Sequence, residues 1–332
     1  MYSVQYDTED LNEFAKCFEL WNDPIHLRQF FEKNQKDLDN EFWNGITIEE
    51  AIHKTRGDAG LFEEELLCIA ETGKTERYET LSTLFEPLSK GFIESEFEKD
   101  KAKGIKNRSW LRIYAIRIEA NLFVVSGGAI KLTRTMNDRD HLLLELDKLE
   151  STRSYLRDGS DEKLEFVELI YIGPMSIDKI KNRIRENSKQ DSTWIERAKS
   201  RRENKAWLDI SFAIAVKIAS ALKANKTANV FPKTQKELAK AMVCSPQYVN
   251  KLLRGTENLQ LETITKIEQI LDINLIQVVD FETIVQEQPE NSQTYTIFNK
   301  IISGGEWYVN YKELFEEYSY GIEPDIPFKS VA

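Results

Sequence analysis

In the stretch Thr234 to Gly255, TQKELAKAMVCSPQYVNKLLRG, the polar residues Gln247, Tyr248, Asn250, Lys251 and Arg254 recur at intervals that a helix places on its outward side. Amides can pair with base edges, a phenol can reach a base or a phosphate, and cations neutralise phosphate. This combination suits reading a DNA major groove. Two short helices across a tight turn must hold it. Thr234 with Glu237 forms a capping box at the first, and Ser245 followed by Pro246 repeats the start signal at the second. Leu238, Ala239, Met242, Val249, Leu252 and Leu253 form the inward stripe. Thr234, Gln235 and Ser245, at the helix starts, complete the candidate DNA-binding set. A helical hairpin that binds only protein is the plainer alternative.

These residues resemble the helix-turn-helix of the Xre and lambda-repressor-like family, with TQKELA opening its second helix and SPQYVNKLLRG as its recognition helix. NLQLETITKIEQIL resembles the family's next helix, with Ile264, Ile267, Ile270 and Leu271 as its core stripe. The family often has Gly in the turn where this chain has Val243, and a β-branched residue tolerates φ > 0 poorly, so the turn is expected to differ in detail. The resemblance implies binding of double-stranded operator DNA, as a homodimer, because a single recognition helix seldom supplies enough contacts.

Charge is distributed to match. The net charge is −11, yet residues 101–160 hold 12 Lys/Arg against 7 Asp/Glu, and residues 175–260 hold 18 against 8. Such islands are what phosphate binding needs locally, whatever the total. A length of 332 residues with 41% hydrophobic content suits two or three globular domains. Cys17, Cys68 and Cys244 are scattered and odd in number, as are His26, His53 and His141, so neither a disulfide framework nor a metal site is expected, and no cofactor is implied. The longest apolar stretch, Ile210 to Val216, stops at Lys217, and no basic-then-apolar leader opens the chain; a cytoplasmic protein with no membrane partner is expected.

From the start, residues 1–72 read as helical. Leu11, Phe14, Phe18 and Leu20 fit one helix; Asp23-Pro24 starts a second, with Ile25, Leu27, Phe30 and Phe31; Thr47 with Glu50 starts a third, expected to break at Gly57 before resuming from Leu61 to Ile69. After the basic run Lys101 to Arg108, residues 111–119 and 122–133 read as a strand hairpin with Ala120-Asn121 as its turn and Gly127-Gly128 as a bulge or second turn. A leucine-rich helix spans Asp138 to Asp158.

That order resembles the RelE/HigB family of toxins, over roughly 111–156, LRIYAIRIEANLFVVSGGAIKLTRTMNDRDHLLLELDKLESTRSYL. The resemblance implies metal-independent cleavage of ribosome-bound mRNA by cations that activate the 2′-OH and stabilise the phosphorane. By position the catalytic candidates are Arg112, Arg117, Lys131, Arg139 and His141. Arg112 and Arg117 are five apart, so a regular strand sends them to opposite faces and only one can line a site. Solvated surface cations are the alternative reading for either.

The chain therefore reads as an α+β N-terminal domain, helices plus a small antiparallel sheet of RelE-like type, over 1–160. A linker and connecting helix follow over 161–190, and an all-α helix-turn-helix domain of HigA-like antitoxin type over 191–280. An acidic, aromatic segment closes the chain over 281–332. Ile210, Ile214, Ile218 and Leu222 would line the first helix of the DNA-binding bundle. Trp307, Tyr308, Tyr311 and Phe315, among Glu306, Glu313, Glu316 and Glu317, either pack on their own domain or lie over the basic hairpin. The function expected is that of a single-chain toxin–antitoxin protein, or of a regulator whose toxin-like domain serves assembly or sensing.

Overall fold

The expected hairpin forms the middle of a larger sheet, its second strand ending at Ile130 rather than 133. In the computed structural model the described residues are 1–6, 9–43, 45–72, 81–88, 97–105, 108–119, 121–159, 164–170, 184, 188–190 and 193–277. They form β1 (Tyr2–Tyr6), α1 (Glu13–Trp21), α2 (Pro24–Lys33), α3 (Gln35–Leu38), α4 (Ile48–Thr72), α5 (Leu81–Leu84), β2 (Phe85–Pro87), β3 (Glu98–Lys103), β4 (Leu111–Glu119) and β5 (Leu122–Ile130). Then come α6 (Asp140–Asp158), β6 (Leu164–Glu168), β7 (Ser188–Gln190), α7 (Thr193–Glu203), α8 (Lys205–Ala228), α9 (Gln235–Met242), α10 (Pro246–Leu253) and α11 (Leu261–Leu271). The aromatic segment 281–332 lies outside the described residues.

The sheet has seven strands in the order β2-β3-β4-β5-β1-β6-β7. It is mixed, since β1 runs parallel to β5, and β6 parallel to β7. The expectation of a small antiparallel sheet is corrected by five strands that the sequence hides: β2 and β3 extend the hairpin antiparallel on one side, and β1, β6 and β7 lie on the other. β1 has only five residues and lies within a stretch whose pattern reads as helical; it is central, between β5 and β6, where neighbours rather than propensity decide its state. β6 and β7 come from beyond residue 160. The fold class stands at the level of an α+β N-terminal region followed by helices.

Side chains alternate along β4 into two cores. Leu111, Ile113 and Ala115 pack with Phe14, Phe18, Trp21, Phe31, Phe62 and Trp110 under α1, α2 and α4. Tyr114, Ile116 and Ile118 pack with Leu142, Leu149, Leu156 and Phe166 under α6. Burying each large apolar side chain stabilises by about 1.5–3 kcal/mol, so both faces are strongly specified. The bulge expected at Gly127 is present as a register shift: Tyr114 faces Gly127 while Ala115 faces Val125, leaving Ser126 extra.

Gly127 has a packing reason. A Cβ there would lie 1.9 Å from Glu145 Oε2. The space is taken by a buried polar centre, in which Lys148 Nζ donates to Glu13 at 2.7 Å and to Glu145 at 3.0 Å. Burial still pushes the Glu145 carboxyl up to about 7.

Helix α4 corrects a second expectation. Its capping box forms, with Glu50 N donating to Thr47 Oγ1 at 3.3 Å and Thr47 N to Glu50 Oε2 at 2.6 Å, but the helix runs 25 residues through Gly57 without a break. Ile52, Thr55, Ala59, Phe62, Leu66 and Ile69 keep one buried stripe, and a Cβ at Gly57 would meet nothing. Packing therefore outweighs the roughly 1 kcal/mol by which a glycine disfavours helix.

In α8, Ile214, Ile218 and Leu222 are buried as expected, but Ile210 is exposed and Phe212 is buried instead. Steps of four advance a helix by about 40° beyond a full turn, so a stripe drawn at that spacing drifts off the face after three steps. The chain divides into one compact unit over Met1–Leu259 and a second from Gln260, which contains α11. In α11, Ile264, Ile267 and Leu271 are buried. Among the described residues no helix is long and apolar enough to cross a membrane.

Candidate nucleic-acid interface

Both start signals around α9 and α10 work as the residues imply. Thr234 Oγ1 accepts from Glu237 N at 3.2 Å, and Ser245 Oγ from Tyr248 N at 3.2 Å. The Glu237 carboxylate reaches back to Lys233 N at 2.8 Å, one residue before the cap. Between the helices the chain reverses at Val243, which sits in the left-handed region at φ +55° and closes α9 with Cys244 N donating to Ala239 O at 3.0 Å. The turn thus keeps the conformation that glycine favours, with valine in it.

Leu238, Ala239, Met242, Val249, Leu252 and Leu253 are all buried. Gln235, Gln247, Asn250, Lys251 and Arg254 are exposed, and Tyr248 is half-buried. The hydroxyls of Thr234 and Ser245 are spent on caps, so these two residues position the helices. Gly255 ends α10 at φ +67°, where an added Cβ would lie 2.7 Å from Phe212 Cα of α8. This close approach seats the end of α10 on the long helix, and Ser211 Oγ adds a hydrogen bond to Glu257 O at 2.8 Å. Residues 233–278 match the family model described as Helix-turn-helix. The match supports double-stranded DNA binding and a role in transcription regulation for this region. No curated protein and no solved structure matches the chain.

The helix-turn-helix also exposes Lys236 and Lys240, which sequence reasoning passed over. Their spacing of four, on the side of α9 away from Leu238 and Ala239, was the available signal. Among the described residues Lys251 has only a long contact, 3.9 Å, to Glu257. Both ends are solvated, so it remains available to phosphate.

The five cations of the sheet region are not gathered. Arg112 and Arg117 do lie on opposite faces, each among that face's core residues. Arg117 donates to Asp100 Oδ2 through Nε at 2.8 Å and Nη2 at 2.5 Å, and Asp100 is fully buried. Arg139 forks onto Asp37. His141 Nε2 lies 3.1 Å from Ile130 O, with its ring edge-on to Phe30. Lys131 Nζ donates to Thr133 O and Arg134 O, both at 2.6 Å. Arg112 donates to Ser109 O at 2.8 Å and Leu111 O at 2.6 Å.

One subset does converge. Burial depresses the Lys131 ammonium, and the positive charges of Arg112, Lys101 and Lys103 depress it further. These four cations form one basic corner where β3 ends, β4 begins and β5 ends, answered by Glu86, which Lys103 contacts and which lies 3.8 Å from Lys101.

Proposed function

We propose that this protein is a DNA-binding transcription regulator. Its helix-turn-helix reads operator DNA as a homodimer, and its α+β region serves assembly or sensing. The observation that carries this reading is the division of α10, with Gln247, Asn250, Lys251 and Arg254 exposed while Val249, Leu252 and Leu253 anchor it. Gln247 and Asn250 specify bases, whereas Lys251 and Arg254 neutralise phosphate. An eight-residue recognition helix offers few base contacts, which favours two copies on two half-sites. The test is duplex DNA selected by the full chain. Gln247→Ala should cost about 1–3 kcal/mol on the selected site and relax specificity, while Lys251→Ala should weaken all sequences alike and flatten the salt dependence. Unchanged binding by both variants removes α10 from the interface.

A second reading, the single-chain toxin–antitoxin protein, is favoured by the basic corner. Lys131 and Arg112, with Lys101 and Lys103, could stabilise charge on an RNA phosphate. In that reading Lys131→Ala abolishes toxicity of the chain freed from inhibition, and EDTA does not. Arg117 and Arg139 support the regulator reading instead, because each holds one of the protein's own carboxylates.

A further inference from the structure

A cleft of about 730 Å³ opens between two walls of the first unit. One wall comprises α2, α3, the loop before α4 and the first turn of α4; the other is the C-terminal part of α8, from Ser220 to Ala228. The volume is in the range of small-molecule sites, about 300–1,000 Å³. Its chemistry is two-signed. The N-terminus of α4 carries the positive pole of a long helix, and the last turn of α8 carries the negative pole of another. Arg28 lines the cleft at 8% exposure. Its Nη2 contacts Glu49 Oε1 at 3.2 Å, Val216 O at 3.3 Å and Ser220 Oγ. Asp39 is exposed in the same cleft with no ion-pair partner among the described residues. The charged lining residues, Arg28 and Lys223 against Asp39 and Glu49, cancel, which disfavours both a plain anion and a plain cation. Leu38, Ile46, Ile48 and Ala224 supply an aliphatic surface.

We propose that this cleft binds a small zwitterion of the aliphatic α-amino-acid type and that its occupancy alters DNA binding through α8. The carboxylate sits at the α4 end beside Arg28, the ammonium sits by Asp39 and the last turn of α8, and the side chain lies on the aliphatic surface. The same helix carries both halves of the coupling. Its later turns form a cleft wall, tied to α2 by Lys223 to Glu32 at 2.7 Å, and Phe212 and Ser211 near its start hold the residues that follow α10. An occupant that changes the set of α8 therefore changes the platform of the recognition helix. The coupling rests on the DNA-binding reading above; the site itself does not.

The test uses the full chain with three probes: L-leucine, isovalerate as the carboxylate half, and 3-methylbutylamine as the ammonium half. Calorimetry should show L-leucine binding at least about tenfold tighter than either half, the step expected of one added hydrogen-bonded charge. Asp39→Asn should weaken L-leucine about tenfold and leave isovalerate unchanged. Ala224→Trp fills the cleft from an exposed position and should abolish binding while keeping the melting temperature. DNA affinity should shift with L-leucine in the wild type and not in Ala224→Trp. No binding of any probe, binding of L-leucine no tighter than isovalerate, or full binding by folded Ala224→Trp each overturns the site. A chain that binds DNA but none of the probes overturns the cleft and leaves the DNA reading intact. Binding of L-leucine with unchanged DNA affinity overturns the coupling.

Discussion

Replacing Val243 by glycine should stabilise the helix-turn-helix, although the substitution removes a side chain and adds no contact. Val243 lies at φ +55°, ψ +47° and is 88% exposed. An L-residue in the left-handed region costs about 1–2 kcal/mol, and a β-branched one is among the worst placed there. Glycine removes that cost but loses about 0.5–1 kcal/mol of additional chain entropy on folding. So little of the valine is buried that its packing adds almost nothing on the other side. The balance is about 0.5–1 kcal/mol in favour of Val243→Gly, or roughly a two- to fivefold change in an opening equilibrium. Val243→Ala is the control, because it also removes most of the side chain but keeps a Cβ at positive φ. Amide hydrogen exchange of Leu252 and Leu253 reads local opening directly. The expected order of protection is Gly above Ala, with Ala close to wild type. Equal protection in all three would mean that the turn stores no backbone strain.

Four further outcomes follow from the geometry. Arg117→Ala leaves the fully buried Asp100 without its cation, so the sheet should lose about 3–5 kcal/mol; adding Asp100→Asn should recover part of it, as measured by urea unfolding. Glu145, held up to about 7 against an ordinary value of 4.5, keeps its proton in the folded state where the unfolded chain has lost it. Its contribution is therefore complete below the unfolded value and lost as pH rises through 7, so stability should fall from pH 5 to pH 8. Glu145→Gln should flatten that slope, and an unchanged slope would assign it to another group. Gly255→Ala should destabilise α10 by roughly 1 kcal/mol or more, as at a strained positive-φ site, and weaken DNA binding with it, because its Cβ meets Phe212 Cα. Lys236→Glu and Lys240→Glu should each weaken DNA binding at low salt more than at high, and equal loss at both would place these lysines away from phosphate.

How legible each part is in the sequence follows from where its determinants lie. Caps are local: Asp23, Thr47, Thr234 and Ser245 accept from amides two or three residues ahead, and all four helix starts are readable. The α10 face is readable for the same reason, since one helix contains both its anchors and its polar side. The order of the sheet depends on partners far away in the chain. β1 finds β6 more than 150 residues later, with Tyr2 opposite Glu168, and nothing within YSVQY specifies that neighbour. Gly57 misleads by its type alone, because the packing that overrides it is spread along the rest of α4.

The cations show why residue type locates a DNA interface but not a nuclease site. On a helix, spacing fixes which residues share a face, so the sequence alone groups Gln247, Asn250, Lys251 and Arg254. On a sheet, spacing separates faces but not neighbours: Arg112 and Arg117 are correctly divided, yet Lys101 and Lys103 join Arg112 only because β3 pairs with β4. Nor does sequence disclose which charges are already answered. Asp37 and Asp100 are the partners of Arg139 and Arg117. Arg117 is committed, because releasing it would leave the fully buried Asp100 unpaired at a cost on the order of 3–5 kcal/mol. Among the described residues Lys131 is held only by two carbonyls and is crowded by like charge, so an arriving phosphate would relieve repulsion there rather than break an ion pair. If the sheet region touches nucleic acid at all, Lys131 is where the contact is cheapest. Lys131→Ala should then lower the affinity of the full chain for single-stranded RNA while leaving its affinity for selected duplex DNA unchanged. Loss of both together would mean that the substitution acts through the fold, and loss of neither would leave the basic corner a solvated surface.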